Sequence, residues 1–163
     1  MKDLYKHIGN IDCLNLIKLV SRHTEEDWNK YDFRQKRYHV HSQTTTLAIL
    51  YDKFYSRNMG IESEWYSMYK EEILKIEKQL QSIYKSNGKI IRFVIVNLPA
   101  GKEVAKHTDA TFAEDEDLAS LKVDNRIHLP IQTNNDVHFG IGDVVVHMNV
   151  GELWEINNHY HPH

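Results

Sequence analysis

The sequence predicts a mainly β domain, a barrel or sandwich of short strands, braced by helices that come first. Three observations predict it. Apolar residues recur at helical spacing through about residue 88, they fall into short β-like runs from Lys89 onward, and turn-forming clusters separate those runs. The 163 residues show no internal repeat, low-complexity linker or second domain. They are expected to form a single domain, with residues 1–88 a helical bracing region that includes an early strand and residues 89–163 the β core.

The elements follow in order. Asp12 can cap a short helix that carries Leu14, Ile17 and Val20 on one face. Thr24, followed by Glu25-Glu26-Asp27 and Trp28, marks a second helix start. Arg37 to Leu50, "RYHVHSQTTTLAIL", is rich in β-branched and aromatic residues and predicts one or two strands. The longest helix is predicted over Glu62 to Ser86. Its apolar positions Trp65, Tyr69, Ile76, Leu80 and Ile83 recur at three- and four-residue spacing, and Asn87-Gly88 offers a left-handed cap.

Lys89 to Asn97 then reads as a strand and Leu98-Pro99-Ala100-Gly101 as a turn. Arg126 to Gln132 alternates and breaks at Thr133-Asn134-Asn135-Asp136. Val137 to Phe139, Val144 to Met148 and Glu152 to Ile156 are further strands, separated by Gly140-Ile141-Gly142-Asp143 and Asn149-Val150-Gly151.

Composition narrows the function. Lys and Arg total 20 against 23 acidic residues, with no dense basic patch, so nucleic-acid binding is not expected. Cys13 is the only cysteine, which rules out a disulfide framework or a thiolate metal cage and fits a reducing, cytoplasmic setting. No apolar run approaches membrane-spanning length, and no membrane partner is expected. The unusual count is 11 histidines, three of them in the closing "HYHPH".

"HTDATF", starting at His107, is the first candidate for chemistry. In an extended segment His107 and Asp109 point to one side, so an imidazole and a carboxylate can share one ion. Two histidines and one carboxylate on one face of an octahedral iron leave three positions open. A polar turn explains the pair equally well unless a later histidine joins it. His159, His161 and His163 can supply that ligand, or can be a solvated tail.

The stretch between these histidines carries a resemblance. "LPAGKEVAKHTD", then "RIHLPIQTNNDVHF", then "VVVHMNVGELWEINN" occur in order. Together they resemble the aspartyl/asparaginyl β-hydroxylase family, including its L-proline cis-hydroxylase relatives. The likeness is strongest from Arg92 to Asn158; Trp28, "HSQT" and the long helix match more loosely. It implies a double-stranded β-helix of cupin or jelly-roll type and an iron(II)- and 2-oxoglutarate-dependent dioxygenase. Such an enzyme uses O2 to hydroxylate an unactivated carbon while 2-oxoglutarate becomes succinate. The substrate implied is a small-molecule amino acid or an aspartyl or asparaginyl side chain in a peptide or protein.

Carried over by position, the resemblance makes His107 and Asp109 iron ligands. It leaves the distal histidine as His163, favoured by its Pro-His step, or His161. Arg126 and His128 match an R-x-H whose inward side chains contact 2-oxoglutarate or substrate. Trp154 is expected to be core or pocket wall and mostly buried, with Asn157-Asn158 a turn. His138 and His147 are expected at structural or rim positions, and His39 and His41 near the barrel mouth. In the family a further strand brings an arginine to the far carboxylate of 2-oxoglutarate. This sequence stops at His163, and Arg126 and Lys106 are the nearest substitutes. Two other functions fit the residues alone: a zinc or manganese cupin acting as isomerase or hydrolase, and a non-catalytic β-barrel binding module.

Overall fold

The computed structural model describes residues 4–51, 60–107 and 125–156. It mixes helices with small antiparallel sheets, consistent with a β-rich fold. In chain order the elements are β1 (Tyr5–Asn10), α1 (Leu14–Val20), α2 (Glu25–Lys30), α3 (Phe33–Arg37), a 3-10 turn (His39–His41), β2 (Thr45–Tyr51), β3 (Ile61–Glu62), α4 (Tyr66–Tyr84), β4 (Phe93–Asn97), β5 (Ile127–His128), β6 (Phe139–Ile141), β7 (Val144–Val146) and β8 (Glu152–Ile156). They group into two compact units, Lys18–Ala105 and Met1–Ile17 with Lys106–His163.

In the Lys18–Ala105 unit β2 is central, flanked antiparallel by β3 and β4. Thr46 to Leu50 are buried in succession, so this strand is covered on both faces and shows no alternation. α2 starts as expected: Thr24 and Asp27 form a reciprocal capping box, with Asp27 N–H donating to Thr24 Oγ1 at 3.3 Å and Thr24 N–H donating to Asp27 Oδ2 at 2.8 Å.

Three expectations change here. Arg37 to Ser42 is not a strand: α3 ends at Arg37 and His39–His41 is a 3-10 turn. Local side-chain bonds outcompete β propensity, since Asp32 pairs with Lys36 at 2.8 Å one helical turn on and the Thr44 hydroxyl donates to the His41 carbonyl at 2.8 Å. The long helix begins at Tyr66, because Ile61 and Glu62 are drawn into pairing with β2. It ends at Tyr84, where Lys85 takes the left-handed conformation (φ 49°) expected of Asn87-Gly88, and the Gln81 carbonyl accepts from both Lys85 and Ser86 N–H. The helix buries Tyr69, Ile73 and Ile76 behind Trp65, the face its spacing predicts. β4 begins only at Phe93, and upstream the Ile90 N–H donates to Glu77 Oε2 at 2.8 Å rather than to a ladder.

In the other unit the sheet order is β1-β8-β5. β8 spans Glu152–Ile156 as the sequence predicts, and its main partner is β1, a strand the sequence reading missed. Beside this sheet β6 and β7 form a hairpin. Gly142 (φ 58°) occupies the first of its two loop positions, the one a type II′ turn reserves for glycine. Ile141, Met148 and Ile156 are the buried core, with Leu4, Tyr5, Phe139, Val146 and Trp154 packed against it. Trp154 is therefore half-buried rather than mostly buried; Leu153, on the opposite face of β8, is completely buried.

The strand expected over Arg126 to Gln132 is paired only at Ile127–His128. Pro130 has no N–H for a ladder, and its carbonyl accepts from Gly151 N–H at 2.9 Å. The strand expected at Val137 starts at Phe139 and absorbs Gly140-Ile141. α1 forms after Asp12, whose carboxylate accepts the Leu14 N–H at 2.9 Å, but it buries Leu16. Leu14 (55% exposed) and Ile17 (38%) face outward, so the helix turns a different stripe inward from the one expected.

Candidate functional site

Cross-strand pairing sets one row of side chains on the β1-β8-β5 sheet. His7 lies opposite Trp154, and Trp154 lies opposite His128, so all three project from one face. The His7 and Trp154 rings are 5.3 Å apart between centroids, and His128 stands edge-on to Phe139 of the hairpin at 4.8 Å. Tyr5, two residues before His7, shares the face and meets Trp154 and Phe139 edge-on at 6.5 and 6.2 Å. Its hydroxyl donates to the Phe139 carbonyl at 2.9 Å, and burial pushes the phenol up to about 12.

Arg126 joins the same face. It precedes His128 by two residues, and its carbonyl accepts the Ile156 N–H at 3.0 Å, which continues the ladder. Arg126 and His128 are both half-buried. Arg126 thus lies next to the end of β8, and His128 next to Phe139 of the hairpin.

His107 reaches this unit through its neighbour. Lys106 Nζ donates to the Gly142 carbonyl in the hairpin turn at 3.4 Å. A Cβ on Gly142 would lie 3.9 Å from Leu4 Cδ1, and Leu4 immediately precedes Tyr5, which pairs with Ile156. The Lys106 side chain thus reaches the hairpin turn beside Leu4, while Arg126 meets the C-terminal end of β8. His107 itself is half-buried. Lys106, one of the two expected substitutes for a carboxylate partner, gives its ammonium to a backbone carbonyl.

Below the His7 row, Glu152 fastens the turn that starts β8. It accepts the side-chain amide of Asn149 at 3.0 Å, the Asn149 backbone N–H at 2.8 Å and the Trp154 indole N–H at 2.9 Å. The Asn149 side-chain and backbone donors lead in holding this carboxyl below its ordinary range.

Asp109, His161 and His163, and the turn expected at Asn157-Asn158, lie outside the described residues. Among the described residues no group of three or more His, Cys, Asp or Glu side chains is placed to hold a metal ion. Of the two expected at structural or rim positions, His147 has its Nδ1 2.8 Å from the Val137 carbonyl, and His138 is exposed. His39 and His41 belong to the Lys18–Ala105 unit, where buried His41 Nε2 faces Arg34 Nη2 at 3.1 Å.

Tyr5 and His7 are the site residues that sequence reasoning missed. The available signal was weak: Tyr5, His7 and Gly9 alternate with Lys6 and Ile8 in "YKHIGN", but without an apolar face the run does not read as a strand. No protein-family model matches this chain, and no curated protein or solved structure shows a significant match to it.

Proposed function

We propose that this chain is an iron(II)- and 2-oxoglutarate-dependent hydroxylase of the aspartyl/asparaginyl β-hydroxylase type. It would act on an amino acid or on an aspartyl- or asparaginyl-type side chain. What supports the reading is that Lys106, next to His107, reaches the hairpin turn of the unit in which Arg126 meets the end of β8, the strand that His161 and His163 follow in the sequence. The double-stranded β-helix belongs to the same proposal. A three-stranded antiparallel sheet and a hairpin enclosing Ile141, Met148 and Ile156 are compatible with its two-sheet design.

The donor set suits the metal. A neutral imidazole at His107, a carboxylate at Asp109 and an imidazole at His163 or His161 are the ligand types a non-haem iron site takes. Bound iron would activate O2 together with 2-oxoglutarate for hydroxylation. The chain's own residues supply the surroundings. The Arg126 guanidinium offers a fork for a carboxylate of 2-oxoglutarate. Tyr5, Phe139 and Trp154 form an apolar wall that keeps water from the reacting carbon. His128, edge-on to Phe139, borders the space where substrate would lie.

The test is mass detection of succinate formed from 2-oxoglutarate by the purified chain, with and without iron(II). Iron-dependent succinate that disappears in His107→Ala and Asp109→Ala supports the proposal. A cupin isomerase or hydrolase would bind metal without consuming 2-oxoglutarate. Iron affinity unchanged in both variants, with no succinate, would overturn the proposal and favour a binding module.

A further inference from the structure

A cavity of about 380 Å³ opens in the Lys18–Ala105 unit, at the small end of the range for metabolite sites. Its walls bring together polar groups that have no partner among the described residues. α2 contributes Trp28 and Asn29, the segment leading into β2 contributes Ser42 and Gln43, and the turn after β4 contributes Lys102. The Trp28 indole N–H, the Ser42 hydroxyl, the Gln43 amide and the Lys102 ammonium make no hydrogen bond or ion pair with described residues. Asn29 donates its amide to the Glu25 carbonyl at 2.8 Å, which leaves its Oδ1 as an acceptor. The floor is fixed, because Gln35 of α3 donates to the Thr44 and Thr46 hydroxyls at 3.3 and 2.7 Å and so ties α3 to β2.

The charges select the ligand. Asp32 also lines the cavity, but Lys36 neutralises it at 2.8 Å, whereas Lys102 has no counter-ion among the described residues. The cavity therefore carries one uncompensated positive charge, an excess of donors, a few acceptors and a single indole. A phosphate would call for more cations or a nest of backbone N–H groups than this wall offers. A cation would meet Lys102 unopposed.

We propose that this cavity binds a small hydroxylated carboxylate of the sugar-acid class. Lys102 takes the carboxylate, assisted by the Ser42 and Gln43 donors. The ligand's hydroxyls exchange hydrogen bonds with Asn29 Oδ1 and the Gln43 amide, and its carbon skeleton lies against Trp28.

The experiment is an amide and indole NMR titration of the full chain, without added metal, using D-gluconate and its uncharged counterpart sorbitol. Gluconate should give saturable shifts at the Trp28 indole N–H and at the Ser42 to Thr45 amides, and sorbitol should not. Lys102→Gln, an exposed turn substitution, should weaken gluconate binding about tenfold, in line with loss of one charge-assisted hydrogen bond. Gln43→Ala should weaken it severalfold with the rest of the spectrum unchanged. Absence of saturable shifts with gluconate, equal shifts with sorbitol, or undiminished affinity in Lys102→Gln would each overturn the proposal.

Discussion

Glu152 accepts the indole N–H of Trp154 at 2.9 Å, and the same carboxylate closes the preceding turn through Asn149. One side chain thus sets both the start of β8 and the tilt of the ring at the centre of the His7–Trp154–His128 row.

Glu152→Gln should therefore cost about 1 kcal/mol at neutral pH, because the bonds it weakens face solvent. The folded carboxyl titrates below its ordinary range, so its stabilisation is complete above that range and is lost as pH falls through the lowered value. Urea melts of the two proteins should differ at pH 7 and converge in acid once the pH has fallen below the lowered value. A gap that persists unchanged in acid would show that the ionised carboxylate is not the source.

Gly151 should tolerate no side chain. Its φ is 84°, and an added Cβ would stand 2.7 Å from the Ile11 carbonyl oxygen, the residue whose N–H donates to Gly151 at 2.8 Å. Gly151→Ala should cost about 2–4 kcal/mol from strain and backbone collision together. Gly142→Ala shares the positive φ but meets nothing closer than Leu4 at 3.9 Å, and should cost only about 1 kcal/mol. Thermal melts of both variants check the ranking.

Alkaline pH should loosen both units. Burial pushes the phenols of Tyr5 and Tyr69 up to about 12, from an ordinary 10. A raised folded value means the stabilisation is full below pH 10 and is lost as pH climbs from there toward 12. Tyr5→Phe and Tyr69→Phe should each flatten the decline. The readout is stability against pH, with tyrosinate absorbance at 295 nm tracking the late-titrating phenols.

The distal ligand should be separable by substitution. If iron is held as proposed, either His161→Ala or His163→Ala should lower iron affinity strongly while the other leaves it unchanged. Isothermal titration with iron(II) under anaerobic conditions gives the comparison. If neither substitution changes affinity, the closing histidines are not ligands.

The sequence by itself determined the elements whose signals are local. Thr24 and Asp27 carry the start of α2 in four residues, Trp65 to Ile76 carry the buried stripe of α4, and the turn at residues 149–151 sets the start of β8 where it is observed. It also marked the short strand that holds Ile127 and His128, although only two of its expected residues pair. Tertiary structure decided what depends on partners distant in the chain. Tyr5–Asn10 has no amphipathic pattern of its own and becomes a strand because β8 offers it a ladder. Ile61 and Glu62 leave a helical pattern to pair with β2, Pro130 ends its strand because no N–H can extend it, and Leu153 is fully buried while Trp154, on the other face of β8, is half-buried among Tyr5 and Phe139. Backbone hydrogen bonding is satisfied only in the folded whole, and there it overrides propensities of a few tenths of a kilocalorie per residue, about the size of those that separate strand from helix in these short segments.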